Sequence, residues 1–172
     1  MKLLDVGAER AVLAGLFRYG IDAYIEISDY IDHGTFGQRN NQCIYRCIEK
    51  AIKSGGAVDL QSVLSAAGHL GLTEVVSTDQ EIDYISSLID FPVHKDNVVR
   101  YAHQIKKFEF ARDIELLTKR VQEDINGIRG DESIDEVINI LEKPVTEFLR
   151  DGEVGGATVR VGVFKNAATR SR

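Results

Sequence analysis

The sequence predicts an all-α fold, a compact multi-helix globular part followed by a long helical hairpin. Three observations predict it. Apolar residues recur at three- and four-residue spacing in one segment after another, which puts them on one face of a helix. Several of these segments open on a capping residue and close on glycine. From Lys95 to Ile125 there is neither glycine nor proline, while strand signals are weak through the first 150 residues.

Residues 8–18 form the first predicted helix, with Ala8, Ala11, Val12, Gly15 and Leu16 in register and Gly20 ending it. Ile21 to Ile31 is a shorter one, with Ile21, Tyr24, Ile25 and Ser28 repeating, and His33-Gly34-Thr35 reads as a turn. Phe36 to Lys53, starting near Gln38, buries Ile44, Cys47, Ile48, Ala51 and Ile52 before Ser54-Gly55-Gly56 stops it. Asp59 caps a helix over Leu60 to Ala67, with Val63, Leu64 and Ala67 inward and Gly68 or Gly71 closing it. Thr78-Asp79-Gln80-Glu81 has the spacing of a capping box and opens a helix to about Ile89, broken by Phe91-Pro92. Ile82, Ile85 and either Leu88 or Ile89 are its inward residues.

The longest segment follows. Val98, Tyr101, Ala102, Ile105 and Phe108 make one apolar series, and Phe110, Ile114, Leu117, Val121 and Ile125 a second, out of phase with the first. Either a single helix leaves the globular part and meets a new neighbour, or the helix kinks there. Gly127 to Gly130 is the hairpin turn, and Ser133-Ile134-Asp135-Glu136 a second capping box. In the last helix Pro144 removes one backbone donor, so a kink or local break is expected. The chain thus divides into a globular part, residues 1–92, a hairpin, 93–150, and 151–172, a linker or tail leading to a further domain, with a short edge strand as the alternative for Val159, Val161 and Val163.

The composition excludes several function classes. A formal charge of −6 argues against a duplex binder that gains affinity by neutralising phosphates. Lys106, Lys107, Arg112, Lys119 and Arg120 are interleaved with acids that cancel their field. There is no phosphate-loop motif, no H-E-x-x-H and no C-x-x-C. Cys43 and Cys47 share a helix face as reduced packing residues, and His33, His69, His94 and His103 are scattered surface or interface residues. No apolar run approaches the roughly 20 residues of a membrane span, and a cytoplasmic location follows from these features. No catalytic, cofactor-binding or metal site is assigned. The narrow seam of Ile114, Leu117, Val121, Ile138, Leu141 and Val145 is the candidate self-association surface, because a hairpin this long cannot bury both faces on its own.

Several short pieces, in order, resemble the N-terminal domain of the bacterial and phage replicative hexameric helicases, the DnaB-like family. They are Ala8-Glu9 with Val12-Leu13 and Gly15; Phe36 with Ile44-Tyr45; Gly55, Val58-Asp59-Leu60 and Val63-Leu64; Gly68 and Leu70; Tyr84-Ile85 and Leu88; and Asn97, Tyr101-Ala102 and Arg112. The resemblance covers about residues 8 to 150. The chain departs from the pattern at Ala14, where glycine is usual, at Gly37, where a second aromatic stands, and at Asn41, commonly histidine. Thr78 to Glu81 replace a Gly-Gly, which suggests a divergent member of phage type.

The resemblance implies a collar domain whose hairpins pair between neighbours in a hexamer and which contacts primase and, in some systems, a loader. It implies that ATP, Mg and the grip on DNA belong to a following motor domain absent from these residues. Primase approaches the hairpin side, which points to Lys107, Arg120, Glu123, Arg129 and Glu136 as partner-docking residues. The alternative is a free-standing helical module that regulates or mimics such a collar, and an unrelated helical enzyme is a third reading that finds no cluster of polar groups to build on.

Overall fold

The computed structural model describes residues 3–151, and the expectations for 152–172 lie outside the described residues. These are helical, without strands: α1 Val6–Tyr19, α2 Ile21–Ile27, a 3-10 turn His33–Thr35, α3 Arg39–Lys53, α4 Leu60–Leu70, α5 Thr73–Val76, α6 Asp79–Ile89, α7 Lys95–Asn126 and α8 Ile134–Asp151. They form two compact units, one up to Arg120 and one from Val121 onward, so the division falls within α7.

The core of the first unit lies between α1 and α3, which carry most of its fully buried large side chains, among them Leu13, Leu16, Ile44, Tyr45 and Ile48. α4 and α5 cover α3, α6 packs on α1, and α7 adds Val98, Ala102 and Ile105 at four- and three-residue steps. Burial pushes the Cys47 thiol up to about 11, which keeps it a packing group rather than a nucleophile. Both cysteines are buried and free.

Local chemistry sets the helix ends. Asp5 opens α1, its carboxylate accepting from the Ala8 amide at 2.9 Å. Gly20, at φ +54°, ends α1 in a conformation open to glycine. At Asp59 the box is reciprocal: the carboxylate accepts from Ser62 N at 2.7 Å, and Ser62 Oγ accepts from Asp59 N at 2.9 Å. Asp59→Ala removes that acceptor and is expected to cost about 1 kcal/mol, read as a lower urea midpoint with an unchanged slope. α4 runs on to Leu70, past the predicted Ala67, because Gly71 at φ +66° supplies the left-handed cap that Gly68 does not. Ser133 and Glu136 form another reciprocal box, at 2.7 and 3.2 Å.

Four expectations are corrected. α2 is shorter than predicted and buries Ala23 and Ile27, leaving Ile21 and Ile25 exposed; two turns offer too few residues for periodicity to choose the face. In α4, Ala66 takes the inward place expected of Leu64, which is half-buried. In α6, Ile85 and Leu88 are buried, whereas Ile82 is half-buried. At Thr78 only one arm of the box forms, to Glu81 N at 3.3 Å, because the Glu81 carboxylate accepts a hydrogen bond from Asn40 Nδ2 instead. Pro144, where a kink or local break is expected, lies inside α8, which continues past it. Proline costs one backbone hydrogen bond, and the turns on either side continue the helix. α7 is likewise one uninterrupted helix, with no break at the phase change.

Candidate functional site

Two features of the chain are candidates for function: a buried polar hub in the first unit, and the apolar and charged side chains left at the surface of α7 and α8.

The hub is built on Glu9, only 1% exposed in the middle of α1. Its carboxylate accepts from Gly37 N at 2.6 Å, from Gln38 N at 3.4 Å and from Asn41 Nδ2 at 2.7 Å. Asn41, fully buried, uses its other end too: Oδ1 accepts from the Tyr84 hydroxyl at 2.9 Å. One residue of α1 thereby ties down the turn before α3, α3 itself and α6. Burial pushes the Tyr84 phenol up, so it stays a donor. Arg112 of α7 closes the same turn from another side, donating to Leu3 O at 3.0 Å and Thr35 O at 2.8 Å. Gly37 stands at the crowded centre. A Cβ there would meet Leu4 at 2.9 Å and both Arg112 Nη1 and Glu9 Oε1 at 3.2 Å. Phe36 packs beside it on Tyr45, ring centroids 5.1 Å apart. The hub is a structural device: every polar group named in it is spent on another part of the chain.

The surface groups are of a different kind. In the second unit α8 exposes Ile134 (79%), Ile138 (52%) and Leu141 (58%). With half-buried Val145 they recur at steps of four, three and four, the spacing of a helix–helix seam. In the first unit the later turns of α7 expose Ile114 and Leu116. Among the described residues no group of three or more His, Cys, Asp or Glu side chains could hold a metal ion, and no helix is long and apolar enough to cross a membrane.

A family model, the DnaB-like helicase N terminal domain, matches residues 2–107, more than half of the chain. The chain belongs to that family. The DnaB-like domain also resembles a solved structure, the crystal structure of the N-terminal domain of DnaB helicase from Mycobacterium tuberculosis, with a TM-score of 0.70 and 21% identity over 85% of this chain and 99% of that one. At that identity the likeness is one of fold. No curated protein matches the chain.

Glu9, Phe36, Asn41, Tyr84 and Arg112, spread over more than half of the DnaB-like chain, meet at the hub or pack directly on it. Asn97 and Tyr101 lie elsewhere, lining an open cleft of about 410 Å3 with Asp5, Phe91 and His94. Of the predicted seam, Ile114, Ile138 and Leu141 are exposed, Leu117 and Val145 half-buried, and Val121 buried within its own protomer. Of the predicted docking residues, Lys107, Arg120, Glu123, Arg129 and Glu136 are all exposed. The basic run on α7 is partly spent: Lys106 pairs with Glu109 at 2.6 Å, Lys119 with Glu115 at 2.8 Å, and Arg112 is held in the hub. Ile134 was absent from the predicted seam. Its place one turn before Ile138, just inside the Ser133 cap, is the signal that marks it.

Proposed function

We propose that this chain is the oligomerisation and partner-docking domain of a replicative DNA helicase, the collar through which copies pair and through which primase, and in some systems a loader, is recruited. The observation that carries it is the exposed stripe of Ile134, Ile138 and Leu141 on α8, in a chain whose residues 2–107 match the DnaB-like helicase N terminal domain. Covering each of these side chains yields about 1.5–3 kcal/mol, which a helix end left in water forgoes. The seam then pairs with its counterpart in a second copy, and Lys107, Arg120, Glu123, Arg129 and Glu136 remain for other proteins. Their charges set encounter rate and choice of partner more than affinity. In this reading ATP and Mg serve a following motor domain, DNA is gripped there, and the full-length protein is a hexamer that unwinds duplex DNA in the cytoplasm of its host. The departures at Asn41 and at Thr78 to Glu81 favour a divergent member of phage type.

Sedimentation equilibrium tests the reading. The expected result is a dimer at about 100 µM protein that Ile138→Asp with Leu141→Asp turns into a monomer, since two buried charges oppose the contact. Helical content should not change, because both positions are exposed in the protomer. A wild-type chain that sediments as a monomer at that concentration overturns the self-association reading.

A further inference from the structure

The second unit holds an open groove of about 420 Å3 where α7 ends and α8 begins, lined by Ile128 and Ile140 and by the carboxylates of Glu123, Asp124, Glu132 and Glu136. Two of these carboxylates are held in place by backbone donors. Glu132 accepts from Arg129 N at 2.9 Å and Gly130 N at 2.8 Å, and Glu136 accepts from Ser133 N at 2.7 Å. Those bonds favour the charged form and hold both acids below the usual carboxylate range. On the adjoining turns Ile125 and Ile134 are exposed, adding apolar surface on either side. The charge of the region is lopsided. Residues 121–150 hold eight acidic side chains against only Arg129, Lys143 and Arg150, a surplus close to the −6 of the entire chain.

We propose that this groove docks a basic amphipathic segment of a partner protein, with a lysine or arginine stem lying on Ile128 and Ile140 and its cationic head among the four carboxylates. Long basic side chains suit such a site because their methylenes cover apolar surface while the charge stays near the rim. Unlike the apolar seam of Ile138 and Leu141, the groove is a poor site for its own counterpart in a second copy, which would bring the same four carboxylates against these. The inference rests on the partner-docking reading above and adds the chemistry of the partner.

The test uses the full chain and a defined probe, a fluorescein-labelled helical peptide with lysine on one face and leucine on the other, beside a control peptide carrying glutamate for lysine. Fluorescence anisotropy is expected to show binding of the lysine peptide alone, weakening as salt rises and screens the pair. Glu132→Gln with Glu136→Gln keeps an acceptor oxygen at each position, at the loss of one of the two backbone bonds to residue 132, removes the charge, and is expected to lower affinity about tenfold. Glu74→Gln with Asp83→Asn, exposed acids of the first unit, should leave it unchanged. Amide shifts on titration are expected at Gly127, Ile128 and Ile140. No binding of the lysine peptide, equal losses in the two double variants, or shifts confined to other residues would each overturn the proposal. So would two further outcomes. If Arg160→Glu with Lys165→Glu raised peptide affinity, the chain's own terminal residues would be the occupant. If Glu132→Gln with Glu136→Gln changed self-association in place of peptide affinity, the groove would belong to the homotypic contact. Sedimentation of the wild-type chain reads the self-association proposal separately, so the failure of one is distinguishable from the failure of the other.

Discussion

Alanine at Glu9 is expected to destabilise the domain by about 2–4 kcal/mol, since it strips the shared acceptor from several neutral donors at a buried position. The carboxylate accepts from the Gly37 amide, the Gln38 amide and the Asn41 side chain, whose Nδ2 has one further acceptor, Gln38 Oε1 at 3.3 Å, and Glu9 itself is 1% exposed. Removing it strips the acceptor from two backbone amides and leaves the fully buried Asn41 Nδ2 only its longer bond to Gln38, and each buried donor left without a partner costs about 1–3 kcal/mol. Glu9→Gln should be milder, because the amide oxygen still accepts while its NH2 faces donors. Urea denaturation monitored by circular dichroism measures both. The expected order is wild type, then Gln, then Ala, with the alanine variant's midpoint far below the others. Asn41→Ala in the Glu9→Ala background should cost much less than in the wild type, since the two side chains share one bond. A Glu9→Ala variant within about 1 kcal/mol of wild type would show that the hub is ornamental to stability.

Glu9 also illustrates what the sequence made legible. Helices with a long apolar stripe and an explicit cap were readable, as at α3, α4 with Asp59, and α8 with Ser133 and Glu136. Each of those signals is local, so the residues that set it lie within a turn or two of one another. Glu9 reads as a surface residue by type. Its position says otherwise, because Glu9, Val12, Leu13 and Leu16 fall at steps of three, four and seven on the buried face of α1. The periodicity marks the face but not the partners, since Gly37 and Asn41 come into contact with it only through the fold. α2 failed for the opposite reason, its seven residues leaving the choice of face to packing on α1. α5, four residues long, had no period to detect. The hairpin seam was legible as a stripe, but which of its members a protomer keeps for itself, Val121, and which it leaves exposed, Ile138 and Leu141, depends on tertiary packing.

Gly15→Ala inverts an ordinary expectation. In the middle of a helix, alanine for glycine stabilises by about 0.5–1 kcal/mol through backbone entropy and propensity. Here the added Cβ would lie 2.2 Å from one methyl of Val98 and 2.8 Å from the other. Val98 is 1% exposed and β-branched, so its χ1 has little freedom to turn away. The contact joins α1 to α7 in the first unit, and relieving it requires the two helices to separate. Overpacking of this kind costs about 1–3 kcal/mol, which exceeds the propensity gain and leaves a net loss. The discriminating measurement is a double-mutant cycle with Val98→Ala. Alone, Val98→Ala should destabilise by leaving a cavity, whereas in the Gly15→Ala background it should restore stability, because the missing methyls vacate the space that the new Cβ fills. The expected coupling energy is about 1–3 kcal/mol and favourable. Additive single effects would mean that α7 shifts freely on α1, and then glycine at this position would be without a packing reason.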